Sequence, residues 1–253
     1  MISALRHLSP RGSEAALKRF GALADLTATE IALVRAAAEE VEIAPAGTEI
    51  QREGEPVRRP RLILSGWACR QRVLADGRRQ IFGFVVAGDL IGLSLLPSPR
   101  GAADLPAPGA TLAITSLVTC DATGLRQAAL DGDQAHAGIA RALSEAVRRE
   151  RDHLLDHVVR LGRLTAYERI GDLLLELYAR LSAVGLAGGG EFPMPLTQEL
   201  LADSLGLSVV HLNRVLQQYR RAGLLTIRSG RVTLLKPEAV VVAAGRSPSN
   251  AVA

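Results

Sequence analysis

Residues 196–216 read LTQELLADSLGLSVVHLNRVL, and their spacing decides the fold. Thr197 is a helix-capping residue type set before a short apolar-periodic run that ends near Leu205. Gly206 supplies a turn, and Ser208 caps a second run. Ala202 is small enough for two helices to touch, Gly206 tolerates a positive φ, and Leu212 is an apolar lock on the second helix; this is the spacing of a helix-turn-helix. Wound at about 100° per residue, the second helix gathers Leu212, Val215, Leu216 and Tyr219 on one face. Val210, Asn213, Arg214, Gln217 and Arg221 fall on or near the other. Valines mixed with amide and guanidinium groups suit base edges better than plain solvent.

The residues that follow extend this unit. After Gly223, LLTIRSGRVTLL (224–235) is two β-type runs about Ser229-Gly230, the pattern of a hairpin wing. From Gly206 to Lys236 the chain carries six basic residues and no acidic one. A solvated surface normally mixes signs, so the reading is a winged helix-turn-helix facing double-stranded DNA. Arg214 is expected to donate two hydrogen bonds to guanine, and Asn213 or Gln217 to read adenine, with Val209 and Val210 against thymine methyls. Ser208, His211, Arg220, Arg221, Arg228 and Arg231 are the expected phosphate contacts that set register.

Upstream, residues 163–183 read as a helix capped by Thr165, and GLAGGGEFPMP (185–195) as a flexible break. Residues 131–162 hold Leu143, Val147, Glu150, Leu154, His157 and Leu161 in 4-3 alternation, which predicts a long helix that pairs with a copy of itself. About 30 residues of helix span about 45 Å, more than a small domain needs. His153 and His157, with Asp152 and Asp156, have metal-ligand spacing on a helix. The reading preferred is a solvated flank, with no metal site.

Between residues 41 and 125, Gly and Pro punctuate short β-type runs: RLILSGWACRQRVL (61–74), RRQIFGFVV (78–86) and TLAITSLVTC (111–120), with Asp76-Gly77 as a hairpin turn. A long loop, LLPSPRGAADLPAPGA (95–110), interrupts them. The pattern predicts a small barrel or sandwich. Residues 13–40 read as helical, with Thr27 or Thr29 as a cap; residues 1–12 read as loose.

Composition sets the bounds. The 253 residues carry a formal net charge of +4, with 48% hydrophobic and 22% charged residues, an ordinary globular balance. Lys18 and Lys236 are the only lysines, so arginine supplies nearly all the positive charge. No apolar run is long enough for a membrane span, and the N-terminus lacks a signal core. Cys69 and Cys120 match no metal or disulfide framework. The expected location is the cytoplasm, with both thiols reduced. No Ser/His/Asp set, phosphate loop or paired carboxylates stands out, so no catalytic residues are assigned and the chain does not read as an enzyme. The rival is a ligand-sensing module that signals through protein contacts and carries a degenerate DNA domain; the uninterrupted basic stretch and Arg214 argue against it.

Taken together these features resemble the Crp/Fnr family of bacterial transcription regulators, over about residues 15–236. The marks are AGTEIQREGE (46–55), LSGWACRQRVLADGRRQI (64–81), GDLIG (88–92) and the helix-turn-helix quoted above. The resemblance implies an α+β fold: an N-terminal jelly-roll-like β-roll sensor domain with flanking helices (1–130), a dimerisation helix (131–162) and a C-terminal winged helix-turn-helix (163–242). The tail (243–253) reads as disordered. It implies a homodimer on a near-palindromic operator, with RNA polymerase as a further partner. Cyclic-AMP-binding members of the family carry Gly-Glu-Leu after the GDxI motif and a later Arg-Ser pair for the phosphate. Here the triplet is Gly92-Leu93-Ser94 and the later stretch, APGATLAIT with Thr111, has no Arg. A cyclic phosphodiester buried without these partners would keep an unpaired charge. Gly92, Leu93, Ser94 and Thr111 are therefore candidate effector-pocket residues for a ligand other than cyclic AMP. With no N-terminal cysteine cluster, no iron–sulfur cluster is expected. In the absence of a ligand, control would rest on protein level or on redox change at Cys69 or Cys120. The family's groove-reading Glu is replaced by Val210, so the half-site should differ from the family's beyond the base read by Arg214.

Overall fold

The computed structural model describes residues 9–57, 59–95 and 106–246. These fall into two compact units: residues up to 72 with 84–152, and 73–83 with 153 onward. No described helix is long and apolar enough to cross a membrane.

The first unit opens with α1 (Ser9–Gly21) and α2 (Ala28–Ala37). Helix α1 begins inside the segment read as loose. Thr27 is the cap of α2: its hydroxyl accepts from the Glu30 N–H, and the Glu30 carboxylate accepts from Thr27 N–H in return. The same carboxylate accepts from the Ile139 N–H at 3.0 Å, so one buried anion serves the starts of two helices. Burial pushes its pKa up, but the N–H groups of Thr27, Ile139 and Gly138 and the Thr27 hydroxyl together hold it below the ordinary value.

The β-roll then runs β1 (Val41–Ala44), β2 (Glu49–Gln51), β3 (Arg61–Ser65), β4 (Ala68–Val73), β5 (Arg79–Val85), β6 (Leu90–Ile91), β7 (Ala110–Ala113) and β8 (Leu117–Asp121). Two four-stranded sheets form, in the orders β1-β8-β3-β6 and β2-β7-β4-β5. Strands β4 and β5 join through the predicted Asp76-Gly77 turn, closed by the Leu74 N–H donating to the Arg78 carbonyl at 2.7 Å. Ile63, Ala68, Val85, Ile91, Ala113 and Leu117 are buried together within the roll. A second core joins α1, α2, β3, β8 and α3 (Thr123–Leu130) to the first turns of the long helix, through Phe20, Val34, Leu62, Leu125, Ile139 and Leu143.

The long helix, α4 (Ala137–Arg163), follows a short 3-10 turn. Its faces correct the predicted seam. Leu143 is fully buried in the first unit's own core. Glu150 pairs with Arg70 at 2.8 Å, and His157 is buried in the second unit. The exposed apolar residues are Val147, Leu154, Leu155, Val158 and Val159. At about 100° per residue their stripe is turned by roughly 80° from the predicted one. The 4-3 alternation had run along the border between two apolar faces, one packed at home and one left open.

In the second unit α5 (Ala166–Ser182) starts at a Thr165–Glu168 capping box and buries Ile170, Leu173, Leu174, Leu177 and Leu181. Residues read as a flexible break instead form β9 (Glu191–Pro193), which pairs with the wing: Phe192 lies opposite Val232 and is fully buried. The glycine run leads into an anchor, because Phe192 is a large apolar side chain whose burial favours the paired strand. Helices α6 (Gln198–Leu205) and α7 (Val209–Arg221), strands β10 (Leu225–Arg228) and β11 (Arg231–Leu234), and α8 (Pro237–Ala243) complete the unit. The tail read as disordered from residue 243 is ordered through Arg246: Ala244 is buried, and Arg246 Nε donates to Asp172 at 2.5 Å. Residues 247–253 lie outside the described set. Arg160, only 2% exposed, donates to Asp172 at 2.7 Å and to Glu176 at 2.6 Å. Arg79 of the β4–β5 hairpin, which belongs to this unit, donates to the Asp203 carboxylate on α6.

Candidate nucleic-acid interface

Helix α6 is capped by the Thr197 hydroxyl, which accepts from Leu200 N–H, and ends at Gly206 with φ +62°. That left-handed turn is where a side chain would be strained, so glycine allows the chain to reverse in two residues. Ser208 then caps α7 by accepting from His211 N–H at 3.2 Å. Leu201, Ala202 and Leu205 of α6 and Leu212, Val215, Leu216 and Tyr219 of α7 are buried. Tyr219 stacks on Tyr167 with ring centres 4.1 Å apart and donates to the Tyr167 carbonyl at 2.9 Å, which fixes the roll of α7. Burial and the nearby Tyr167, Glu168 and Asp172 push its phenol pKa well up, so it stays a donor.

The opposite face of α7 is open. Val210 is 81% exposed, though it is a large apolar side chain. Arg214, Gln217, Arg220 and Arg221 are exposed, and Val209, His211 and Asn213 are half-buried. Asn213 is held: its Nδ2 donates to Gln198 Oε1 at 2.8 Å. Arg214, Arg220, Arg221 and Arg228 make no ion pair with a described residue, so their charge is uncommitted. Arg231 differs, with Glu191 at 3.7 Å. The wing turns tightly at Ser229 (φ +48°) and Gly230 (φ +70°), with Arg228 opposite Arg231 at its base. Two successive positive φ values match the twist of a two-residue hairpin. The expected base-reading residues Val209, Val210, Asn213, Arg214 and Gln217 thus share one helix, and Arg228 and Arg231 share the wing. Gln198, which the sequence reading did not single out, is the partner of Asn213; the signal was a polar residue just inside the Thr197 cap.

The effector candidates are spread over several elements of the roll. Gly92–Ser94 leave β6 of one sheet, while Thr111 lies in β7 of the other and is 2% exposed. A Cβ at Gly92 would stand 2.4 Å from Val57 Cγ1, and Leu93 packs on the core. Arg70, beside Thr111 in register, is already engaged by the Leu90 carbonyl at 2.8 Å and by Glu150. Residues 96–105 of the interrupting loop lie outside the described residues. The suggested redox control is not supported: Cys69 and Cys120 are both buried. Burial, with Asp121 close by, pushes the Cys120 thiol up to about 12, far from a reactive thiolate. Nor is His157 on a solvated flank. It is buried with Nε2 unpartnered, and no cluster of three metal-binding side chains occurs among the described residues.

Comparison with known proteins gives the same outline. The profile of the Crp-like helix-turn-helix domain matches residues 168–241, and that of the cyclic nucleotide-binding domain matches 41–107. The chain is 31% identical over 179 residues to the nitrogen fixation regulation protein FixK of Bradyrhizobium diazoefficiens, covering 70% of each. It is 27% identical over 199 residues to the transcriptional activator protein FnrA of Stutzerimonas stutzeri, covering 79% of this chain and 78% of that one. Among solved structures it is similar to FixK2 from Bradyrhizobium japonicum, with 28% identity and a TM-score of 0.69 over 82% of this chain and 98% of that one.

Proposed function

The chain belongs to the Crp/Fnr family of DNA-binding transcription regulators, and from that premise we propose that it binds a near-palindromic operator as a homodimer, with α7 of each copy in a major groove. The observation that carries this reading is the open face of α7: an 81% exposed valine beside arginines whose charge no described carboxylate takes up. Arg214, one turn into the helix, is the guanine reader. Val209 and Val210 meet thymine methyls, and Asn213 or Gln217 reads adenine. Ser208, His211, Arg220, Arg221 and Arg228 hold phosphates, and Arg231 shares its charge with Glu191. The exposed apolar stripe of α4 supports pairing with a second copy. Two-fold pairing would set the recognition helices about 34 Å apart. The cytoplasm and contact with RNA polymerase belong to the same reading.

The test is a binding series on single-base operator variants at several salt concentrations. Arg214→Ala removes the preference at one base pair per half-site, worth about 1–3 kcal/mol. Arg228→Ala weakens every sequence alike and shallows the salt slope by about one. An Arg214→Ala protein with its full base preference would overturn the assignment.

A further inference from the structure

We infer that Gln198, the first residue of α6, sets which base Asn213 reads, by holding its amide in one orientation. This rests on the reading of α7 as the recognition helix. A primary amide has two N–H donors and a carbonyl acceptor. Asn213 spends one N–H on Gln198 Oε1, at 2.8 Å. Its carbonyl and its second N–H remain, side by side, as an acceptor and a donor. Adenine displays the complement in the major groove, a donor at N6 and an acceptor at N7, whereas guanine displays two acceptors. Turning the Asn213 amide over would bring its carbonyl against the Gln198 carbonyl, so both amides must turn together for the preference to change.

The backbone around Gln198 is suited to this task. Thr197 caps the helix immediately before it, accepting from Leu200 N–H at 3.2 Å. Leu201 and Leu205 of α6 and Leu212 and Val215 of α7 are buried, so the two backbones that carry the amide pair are fixed by apolar packing. Gln198 itself is exposed, so its replacement leaves the core intact. It acts through Asn213 and is a positioning residue.

The experiment measures binding of the full-length protein to operators carrying each base pair at every half-site position, for four variants, with thermal melts as a control for folding. Asn213→Ala is expected to erase the adenine preference at one position and to leave the guanine preference of Arg214 in place. Gln198→Ala is expected to lower that same adenine preference about 2- to 10-fold, the range that one neutral hydrogen bond controls, and to leave the other positions unchanged. Gln198→Glu keeps an acceptor for Nδ2 and cannot turn over, so it retains the preference while its added negative charge weakens all sequences. The double alanine variant matches Asn213→Ala. If Asn213→Ala leaves every preference intact, the base-reading role of Asn213 fails and this inference with it. If Asn213→Ala erases the preference and Gln198→Ala does not lower it, Asn213 reads the base unaided and only the inference is overturned. A Gln198→Ala protein weakened equally on all sequences would make Gln198 a phosphate contact, which also overturns it.

Discussion

His157 faces inward from α4, 7% exposed, with its Nε2 buried and unpartnered. Burial, and then the charge of Arg160, push its pKa down to about 4 from an ordinary 6.5, with Glu176 opposing. The folded protein therefore holds the imidazole neutral, while the unfolded chain takes up a proton below 6.5. Its contribution to stability is present in full above pH 6.5 and is lost as the pH falls toward 4. The loss is expected to be on the order of 2 kcal/mol. His157→Leu removes both the proton and the unsatisfied nitrogen. Urea melts at pH 7 and pH 4.5 should show the variant at least as stable as the parent at pH 7, and less weakened at pH 4.5. Equal acid sensitivity in the two proteins would place the acid lability elsewhere. The histidine spacing was plain in the sequence, but the burial that decides its chemistry was not. Periodicity reports which residues share a face and is silent on what covers it.

At the scale of the element, α4 carries the dimer reading. Its exposed stripe of Val147, Leu154, Leu155, Val158 and Val159 differs from Leu143, which is locked in the first unit's core. A charge on the stripe should separate copies without unfolding either. Leu155→Glu with Val158→Glu is expected to sediment as a folded monomer and to lose specific operator binding, since each half-site alone retains only part of the affinity. Leu143→Glu is expected to abolish the cooperative thermal transition, because a charge in an apolar core has no partner. A double variant that still sediments as a dimer would move the interface off this helix. The α6–α7 pair was readable because local chemistry dictates it: Thr197, Gly206 and Ser208 act on their own neighbouring backbone. Strand β9 was unreadable, since its pairing with β11 and the burial of Phe192 join segments about 40 residues apart.

At the scale of the whole molecule, the β-roll matches the cyclic nucleotide-binding domain profile over residues 41–107, and cyclic nucleotides are the ligands to test. Arg70, the cation beside Thr111, is committed to Leu90 and Glu150. Calorimetric titration with cyclic AMP and cyclic GMP is expected to show no binding tighter than about 10 μM, or about 7 kcal/mol. Tighter binding of either would show that the roll supplies a phosphate partner of another kind. The sequence by itself determined the order of parts: β-roll, long helix, winged helix-turn-helix. It also determined the caps that begin α5, α6 and α7, the Gly206 turn that ends α6, and the polar face of α7. Each follows from contacts within a few residues, where capping, turn conformation and helical period act directly on the backbone. Only the tertiary structure decided which face of α4 is packed at home, that Arg246, just after α8, ties to Asp172, that both cysteines are sealed in the core, and that Gln198 holds Asn213. Those outcomes depend on residues distant in sequence meeting in space, and on whether water is excluded where they meet.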